Sequence, residues 1–486
     1  MPRFFKYKVL EDLRRDAERL GLDLEFSEDL SPLLRDLVVG TRRVGNRLCI
    51  QPMEGCDGTP GGAADELTFR RYRRFGDGGA KLIWGEAAAV VPEGRANPRQ
   101  LLVNEANASG LARIVTECRE AHRRAWGDDG DLMIGLQLTH SGRYSTPRPM
   151  LAQHDPLLDP RTILDKATGR TAGPDDPLID DDYLDRLQDH YVAAAKIAAR
   201  VGFDFVDIKQ CHKYLLCELL SARERPGKYG GPLENRTRFV REVVAKVRSE
   251  IPGLMLATRL NVYDGLPHVP GPHKNGVPVP FHVPVQTIWG GSPRDPFLPD
   301  LSEPIELVRE LRRLGVALVN VSMGNPYAVA HVIRPFEYAP VDMYEAPEHP
   351  MHGVARHFKL CGELQAAVPE VPMVGSGYSW LQAFLFHAGA ANVTEGRCAF
   401  VGVGRASLSH PDFARNLKEG RPLDPKRTCR TFSYCTALMR AKHNDLGQFA
   451  TGCPPFDKAT YGPIWDEARA GGAAEAGDPD GPVTSA

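Results

Sequence analysis

Residues 203–247 read FDFVDIKQCHKYLLCELLSARERPGKYGGPLENRTRFVREVVAKV, and this run contains one complete strand–loop–helix unit. Phe203, Phe205, Val206 and Ile208 form a short apolar run after Gly202, the pattern of a strand covered on both faces by helices. The run ends in polar side chains: Lys209, His212 and Tyr214 fall where a parallel strand would emerge from its sheet, the end at which α/β proteins bind ligands. After the turn at Tyr229-Gly230-Gly231-Pro232, the residues Phe239, Val240, Val243, Val244 and Val247 recur at helical spacing and would cover the sheet.

Outward from this unit the pattern repeats. Short apolar strands are expected at 47–51, 81–84, 132–138, 203–208, 254–260, 317–321, 371–374 and 399–403. Helical stretches are expected near 66–76, 108–123, 182–200, 234–249, 304–314, 354–367, 379–389 and 411–418. Eight alternating units point to an α/β fold, a (β/α)8 TIM barrel with N- and C-terminal extensions, rather than to an open doubly wound sheet. We expect a helical extension over 1–40, the barrel over 41–425, a C-terminal segment over 426–467 and a structureless tail over 468–486. Three connections, 143–180, 261–302 and 323–352, are far longer than ordinary strand–helix loops and all follow strands, so they would wall the same end of the barrel.

The 486 residues, 42% of them hydrophobic, suffice for a large core. The 60 basic and 62 acidic side chains give a net charge of -2, with no excess to draw nucleic acid or an anionic membrane. Neither a signal-peptide core nor a run of about 18 apolar residues occurs, so a cytoplasmic protein acting on a small molecule is expected. The 10 Cys are scattered, several in apolar runs, as reduced thiols would be. Composition neither requires nor excludes a homo-oligomer.

Motifs stand at successive strand ends: Asn46–Met53 (NRLCIQPM), Gly85–Val90 (GEAAAV), Gln137–Arg143 (QLTHSGR), the opening stretch, Arg259, Gly375-Ser376-Gly377, and Gly402-Val403-Gly404-Arg405. This ordered set, over roughly residues 40–425, resembles the Old Yellow Enzyme family of FMN-dependent oxidoreductases, in particular its longer branch with 2,4-dienoyl-CoA reductase and trimethylamine dehydrogenase. The resemblance implies FMN with NAD(P)H as electron donor. It implies cofactor contacts from Pro52, Met53, Glu54, Ala87, Gln137, Arg259, Gly375, Gly377, Gly404 and Arg405. Arg259 would answer negative charge on the reduced ring, Gln137 would bond its polar edge, and the glycine loops with Arg405 would hold the phosphate.

By the same resemblance Lys209 and His212 would polarise a substrate carbonyl, and Tyr214 would protonate the adjacent carbon. The family usually has His where this chain has Lys209, and Cys or Thr where it has Glu54. The implied activity is reduction of an activated alkene. The alternatives are oxidation of an amine, alcohol or sugar-derived substrate, a flavin- or ligand-binding barrel without catalysis, and, more distantly, a cofactor-free barrel whose Glu54 and Glu86 form a carboxylate pair. In the longer branch a Cys-rich segment after the barrel binds a [4Fe–4S] cluster. Here Cys429 and Cys435 keep the first and third positions, Phe432 stands at the second and Cys453 is the distant one, so the site reads as degenerate and no cluster is expected.

Overall fold

A computed structural model of the protein describes residues 3–146, 148–340 and 343–476. Its centre is a closed barrel of eight parallel strands, each neighbouring the next in chain order: β1 Leu48–Ile50, β2 Leu82–Ala89, β3 Met133–Thr139, β4 Phe205–Ile208, β5 Met255–Asn261, β6 Val316–Ser322, β7 Met373–Gly375 and β8 Phe400–Val403. Helices follow the strands, among them Glu66–Gly78, Ala108–Trp126, Asp181–Arg200, Arg238–Glu250, Ser302–Leu314, Pro350–Ala367, Leu385–Thr394 and Phe413–Lys418. The expected (β/α)8 barrel is therefore borne out. The one strand whose extent differs much is β2, which continues through Gly85-Glu86-Ala87-Ala88-Ala89 across a register shift between Trp84 and Ala87. That half lacks β-branched residues, and pairing with β3 rather than local propensity makes it a strand.

The two faces of each strand have different fates. Val206 and Ile208 join the large outer core beneath the helices, whereas Phe205 packs inside the barrel with Cys49, Leu82, Trp84, Met133, Ala257, Leu318, Val374 and Phe400. A hairpin of Leu37–Val39 with Arg42–Val44 closes that end, adding Val39 and Val44 to the inner cluster. Above this apolar plug the same inward faces turn polar, so the barrel is dry at the bottom and chemically equipped at the top.

Two polar sets make up that layer. In one, Asn320 Nδ2 donates to Gln51 Oε1 at 2.7 Å and Gln51 Nε2 donates to Ser376 Oγ at 3.0 Å. In the other, Gln137 Nε2 and Trp84 Nε1 both donate to Asp207 Oδ2, at 2.5 and 2.7 Å. Gly402 makes room for the first set: a Cβ there would collide with Gln51 Nε2 and the Gly375 carbonyl.

The extensions are fastened to the barrel. Leu13 and Ala17 of the helix Leu10–Arg19 are buried, and the backbone N–H groups of Arg3, Phe4 and Phe5 donate to the Glu337 carboxylate. At the other end Arg70 and Arg74 of the first barrel helix pair with Asp457, at 2.8 and 2.5 Å. Among the described residues the last helix is Lys458–Ala476, so the stretch expected to lack structure from 468 begins as its continuation. Ala468 is buried with Leu438, Phe449, Ala450 and Tyr461, and alanine favours the helix; residues 477–486 lie outside the described residues. Among the described residues no helix is long and apolar enough to cross a membrane.

Candidate active site at the barrel mouth

A cavity of about 1100 Å³, its mouth included, opens at the C-terminal ends of the strands. Lys209, His212 and Tyr214 line it, together with Pro52, Met53, Glu54, Gln137, Arg259, Gly377, Gly404 and Arg405. Two residues implied by the resemblance stand outside the lining. Ala87 is buried with its carbonyl accepting from Gln100 Nε2 at 3.2 Å, and the Gly375 carbonyl accepts from Gln51 Nε2 at 3.3 Å. Both carbonyls are already engaged within the barrel wall.

The wall after β4 is built by an unusual turn. His212 and Lys213 both have positive φ, 67° and 57°, a left-handed conformation that costs side-chain-bearing residues about 1–2 kcal/mol each. Tertiary bonds hold it: Asn325 Nδ2 donates to the His212 carbonyl at 2.8 Å, and Lys213 pairs with Asp264 at 2.8 Å. The turn brings His212 back over the barrel, where its Nε2 lies 2.9 Å from Ser322 Oγ. Burial, with Arg259, Lys209 and Arg334 nearby, drives its pKa well below the usual value, so the imidazole is neutral.

Lys209 is the charged group on this wall. Its Nζ lies 3.7 Å from the centroid of the Tyr214 ring and 3.9 Å from Glu54 Oε1. Burial lowers its pKa and Glu54 opposes that shift. Glu54 is pushed up to about 7, by burial first, with Lys209 pulling it down and Glu86 raising it. Glu86 is itself committed elsewhere: its carboxylate pairs with Arg71 at 2.6 Å and accepts from the Gly55 N–H at 3.0 Å. Glu54 alone of the two lines the cavity, so the carboxylate-pair alternative has no geometric support. Tyr214 OH is 3.1 Å from Tyr327 OH, and Tyr144 stacks on Tyr327 with ring centroids 4.2 Å apart. Burial holds the Tyr214 hydroxyl protonated, raising its pKa well above 10.

Three further cations line the same cavity, Arg259, Arg334 and Arg405, and they are short of partners. The Arg259 Nε is buried without a hydrogen bond. Arg334 Nε and Nη2 and Arg405 Nη1 are in the same condition. The Arg334 pKa falls to about 9, through burial and the repulsion of Arg405 and Arg440. Buried, unbonded guanidinium N–H groups beside one another are costly unless an anion completes them.

Sequence reading did not identify Arg334, which sits in the long connection after β6, or Gln51 as a site residue. It also missed the roof: Cys435, Thr436, Met439 and Thr451, from beyond the barrel, line the cavity. Thr436 Oγ1 accepts from Arg334 Nη1 at 2.5 Å, and Thr451 N–H donates to the Gly55 carbonyl at 2.6 Å.

A second cavity, of about 940 Å³, adjoins the first and shares Arg405 and Cys435 with it. Cys429, Cys435, Cys453 and Phe432 all line it, so folding does gather the three thiols. Burial pushes Cys429 up to about 11 and raises Cys453 further. Among the described residues no three His, Cys, Asp or Glu side chains form a group able to hold a metal ion.

Comparison with known proteins agrees with this barrel. The family model described as NADH:flavin oxidoreductase / NADH oxidase matches residues 32–269. Over that stretch, just under half of its length, the chain is similar to this family. That bears out the Old Yellow Enzyme resemblance, and the named relatives are oxidoreductases. An NADPH dehydrogenase of Bacillus subtilis is 26% identical over 387 residues, 79% of this chain and 91% of that protein. An NADH:flavin oxidoreductase of Gibberella zeae is 32% identical over 189 residues, 36% of this chain and 43% of that protein. The chain thus spans less than half of the fungal relative, and 57% of an NADPH dehydrogenase of Clostridium acetobutylicum. Among solved structures, a 2-naphthoyl-CoA reductase complex superposes with a TM-score of 0.65 at 17% identity, covering 90% of this chain and 58% of that one. An Old Yellow Enzyme homologue from Zymomonas mobilis superposes with a TM-score of 0.54 at 21% identity, covering 81% and 94%. These two likenesses show the fold.

Proposed function

We propose that this protein is an FMN-dependent oxidoreductase that uses NAD(P)H to reduce an electron-poor alkene. The observation that carries the reading is the convergence on one cavity of unbonded arginine N–H groups with Lys209, His212 and Tyr214. The residues fit the cofactor. Arg405 and Arg334 offer buried, unbonded N–H groups to a phosphate, and Gly377, at φ 95°, turns the chain beside them. Gln137 keeps its Oε1 and one amide hydrogen for a ring edge that presents both an acceptor and a donor. Arg259 stands ready beside it as a cation whose Nε has no hydrogen bond. Bound there, FMN would supply the hydride chemistry in both directions.

The protein's own part is to bind, orient and protonate. Lys209 would stabilise negative charge developing on a carbonyl oxygen, and neutral His212 would act as a polar neighbour that fixes the substrate's orientation. Tyr214 stays protonated and would supply a proton to carbon. Its contact with Tyr327, which is 37% exposed, offers a route for reprotonation from solvent. The roof of 426–457 would keep water from the reacting groups.

The test is the absorbance spectrum of the purified protein with identification of released flavin, then anaerobic reduction by NADH or NADPH and turnover of 2-cyclohexen-1-one. Extractable FMN, bleaching by a nicotinamide and enone reduction are the expected results. A colourless protein that binds no added FMN would overturn the cofactor assignment. Bleaching by an amine or alcohol, with no enone turnover, would reverse the direction of the reaction.

A further inference from the structure

Asp207 sits one layer below the cavity, fully buried and outside its lining. Three N–H groups converge on its carboxylate. Gln137 Nε2 and Trp84 Nε1 donate to Oδ2, and the Arg259 backbone N–H donates to Oδ1 at 2.7 Å. Two of these donors belong to residues that line the cavity, and Lys209, which also lines it, follows two residues later on the same inward face.

Both oxygens of Asp207 are therefore acceptors in use, and no neutral residue of the same shape reproduces that. Asparagine has one oxygen and one amide, so a donor would face either both Gln137 Nε2 and Trp84 Nε1 or the Arg259 N–H. In the first case Gln137 can turn its amide over, which exchanges the acceptor and donor it offers to the cavity, but the Trp84 N–H stays opposed; in the second the Arg259 backbone is pushed away. Charge acts together with direction. Burial raises the Asp207 pKa to about 6, while the bonds from Gln137, Trp84 and Arg259 and the charge of Arg259 favour the anion, which is the form present at neutral pH.

Resting on the flavin reading above, we propose that Asp207 is a positioning residue for the cofactor. It fixes which end of the Gln137 amide meets the flavin's polar edge and sets a negative charge behind Arg259, and thereby governs the affinity and reduction potential of the bound flavin. An anion at this depth disfavours a cofactor that gains negative charge on reduction.

The experiment measures FMN affinity by fluorescence and the midpoint potential of the holoenzyme by anaerobic dye equilibration. It compares wild type, Asp207→Asn and Asp207→Glu. The Asn variant should favour reduction at least tenfold, about 30 mV for a two-electron couple, and lose at least tenfold in affinity for oxidised FMN. The Glu variant should move both values back toward wild type. An Asn variant within threefold of wild type in both, with only its melting temperature lowered, would make Asp207 merely structural and overturn the proposal. Should the Asn variant not fold, Gln137→Met removes the amide that Asp207 orients; wild-type FMN affinity in that variant overturns the proposal, and a tenfold loss supports it. Wild-type protein that takes up no flavin would sink the flavin reading and this proposal with it, whereas flavin-binding wild type with unmoved variants sinks this proposal alone.

Discussion

Lys209 Nζ lies 3.9 Å from Glu54 Oε1, too far for a hydrogen bond and close enough for each charge to steady the other. Neither group is at ease in the cavity: burial disfavours the ammonium and the carboxylate alike. The cation lining the cavity thus comes with a carboxylate whose protonation changes near neutrality.

That carboxylate makes stability depend on pH. Glu54 is raised from 4.5 to about 7, so the folded protein binds an extra proton between those values and the unfolded chain does not. The contribution is fully present below about pH 4.5 and is lost as pH rises through 7, with a ceiling on the order of 3 kcal/mol. Urea unfolding at several pH values should show wild type losing stability across this window relative to Glu54→Gln. Parallel curves for the two proteins would refute the assignment.

Removing the ammonium should separate binding from chemistry. Lys209→Ala is expected to keep bound FMN and to lower kcat for an enone by about 10²–10³, the usual loss for one donor at a developing oxyanion. Steady-state kinetics with flavin content measured in the same samples checks this, and wild-type turnover would take Lys209 out of the reaction.

The arginines that line the cavity should read a phosphate. Arg405→Ala and Arg334→Ala are each expected to weaken FMN binding by about 10–100-fold, the scale of a charged hydrogen bond, and to leave riboflavin binding almost unchanged. Fluorescence titration with both flavins tests it. An equal loss for the two would assign these side chains to packing.

Two glycines on β8 and just beyond it should behave differently. A Cβ on Gly402 collides with Gln51 Nε2 and a backbone carbonyl inside the barrel, so Gly402→Ala should cost about 1–3 kcal/mol and lower Tm. At Gly404 the nearest atom is Met53 Sδ at 3.4 Å, an ordinary contact, so Gly404→Ala should fold normally. Any loss there should appear in FMN affinity. Thermal melts of the apoprotein distinguish the two.

Much of the barrel was legible because a strand buried on both faces must be apolar along its length, as Val206 and Ile208 are, and the covering helices must repeat at 3.6 residues. The second half of β2 was not, since Gly85–Ala89 carries no strand propensity and exists by pairing with β3. Lys209, His212, Tyr214, Gln137 and Arg259 were legible because strand ends in this architecture share one mouth. Ala87 and Gly375 fell outside the lining because motif membership does not reveal which backbone groups the wall has already used.

By itself the sequence determined the eightfold alternation, the family resemblance and the strand ends that face the cavity, because those follow from periodicity and order along the chain. Only the tertiary structure decided that Glu54 stands beside Lys209, that Arg334 joins the cationic lining, that Asp207 receives Gln137, and that Cys435, Thr436, Met439 and Thr451 form the roof. The reason is physical. Each of these relationships joins side chains from different strands or from beyond the barrel, and barrel closure and the packing of 426–457 across the mouth set the distances between them.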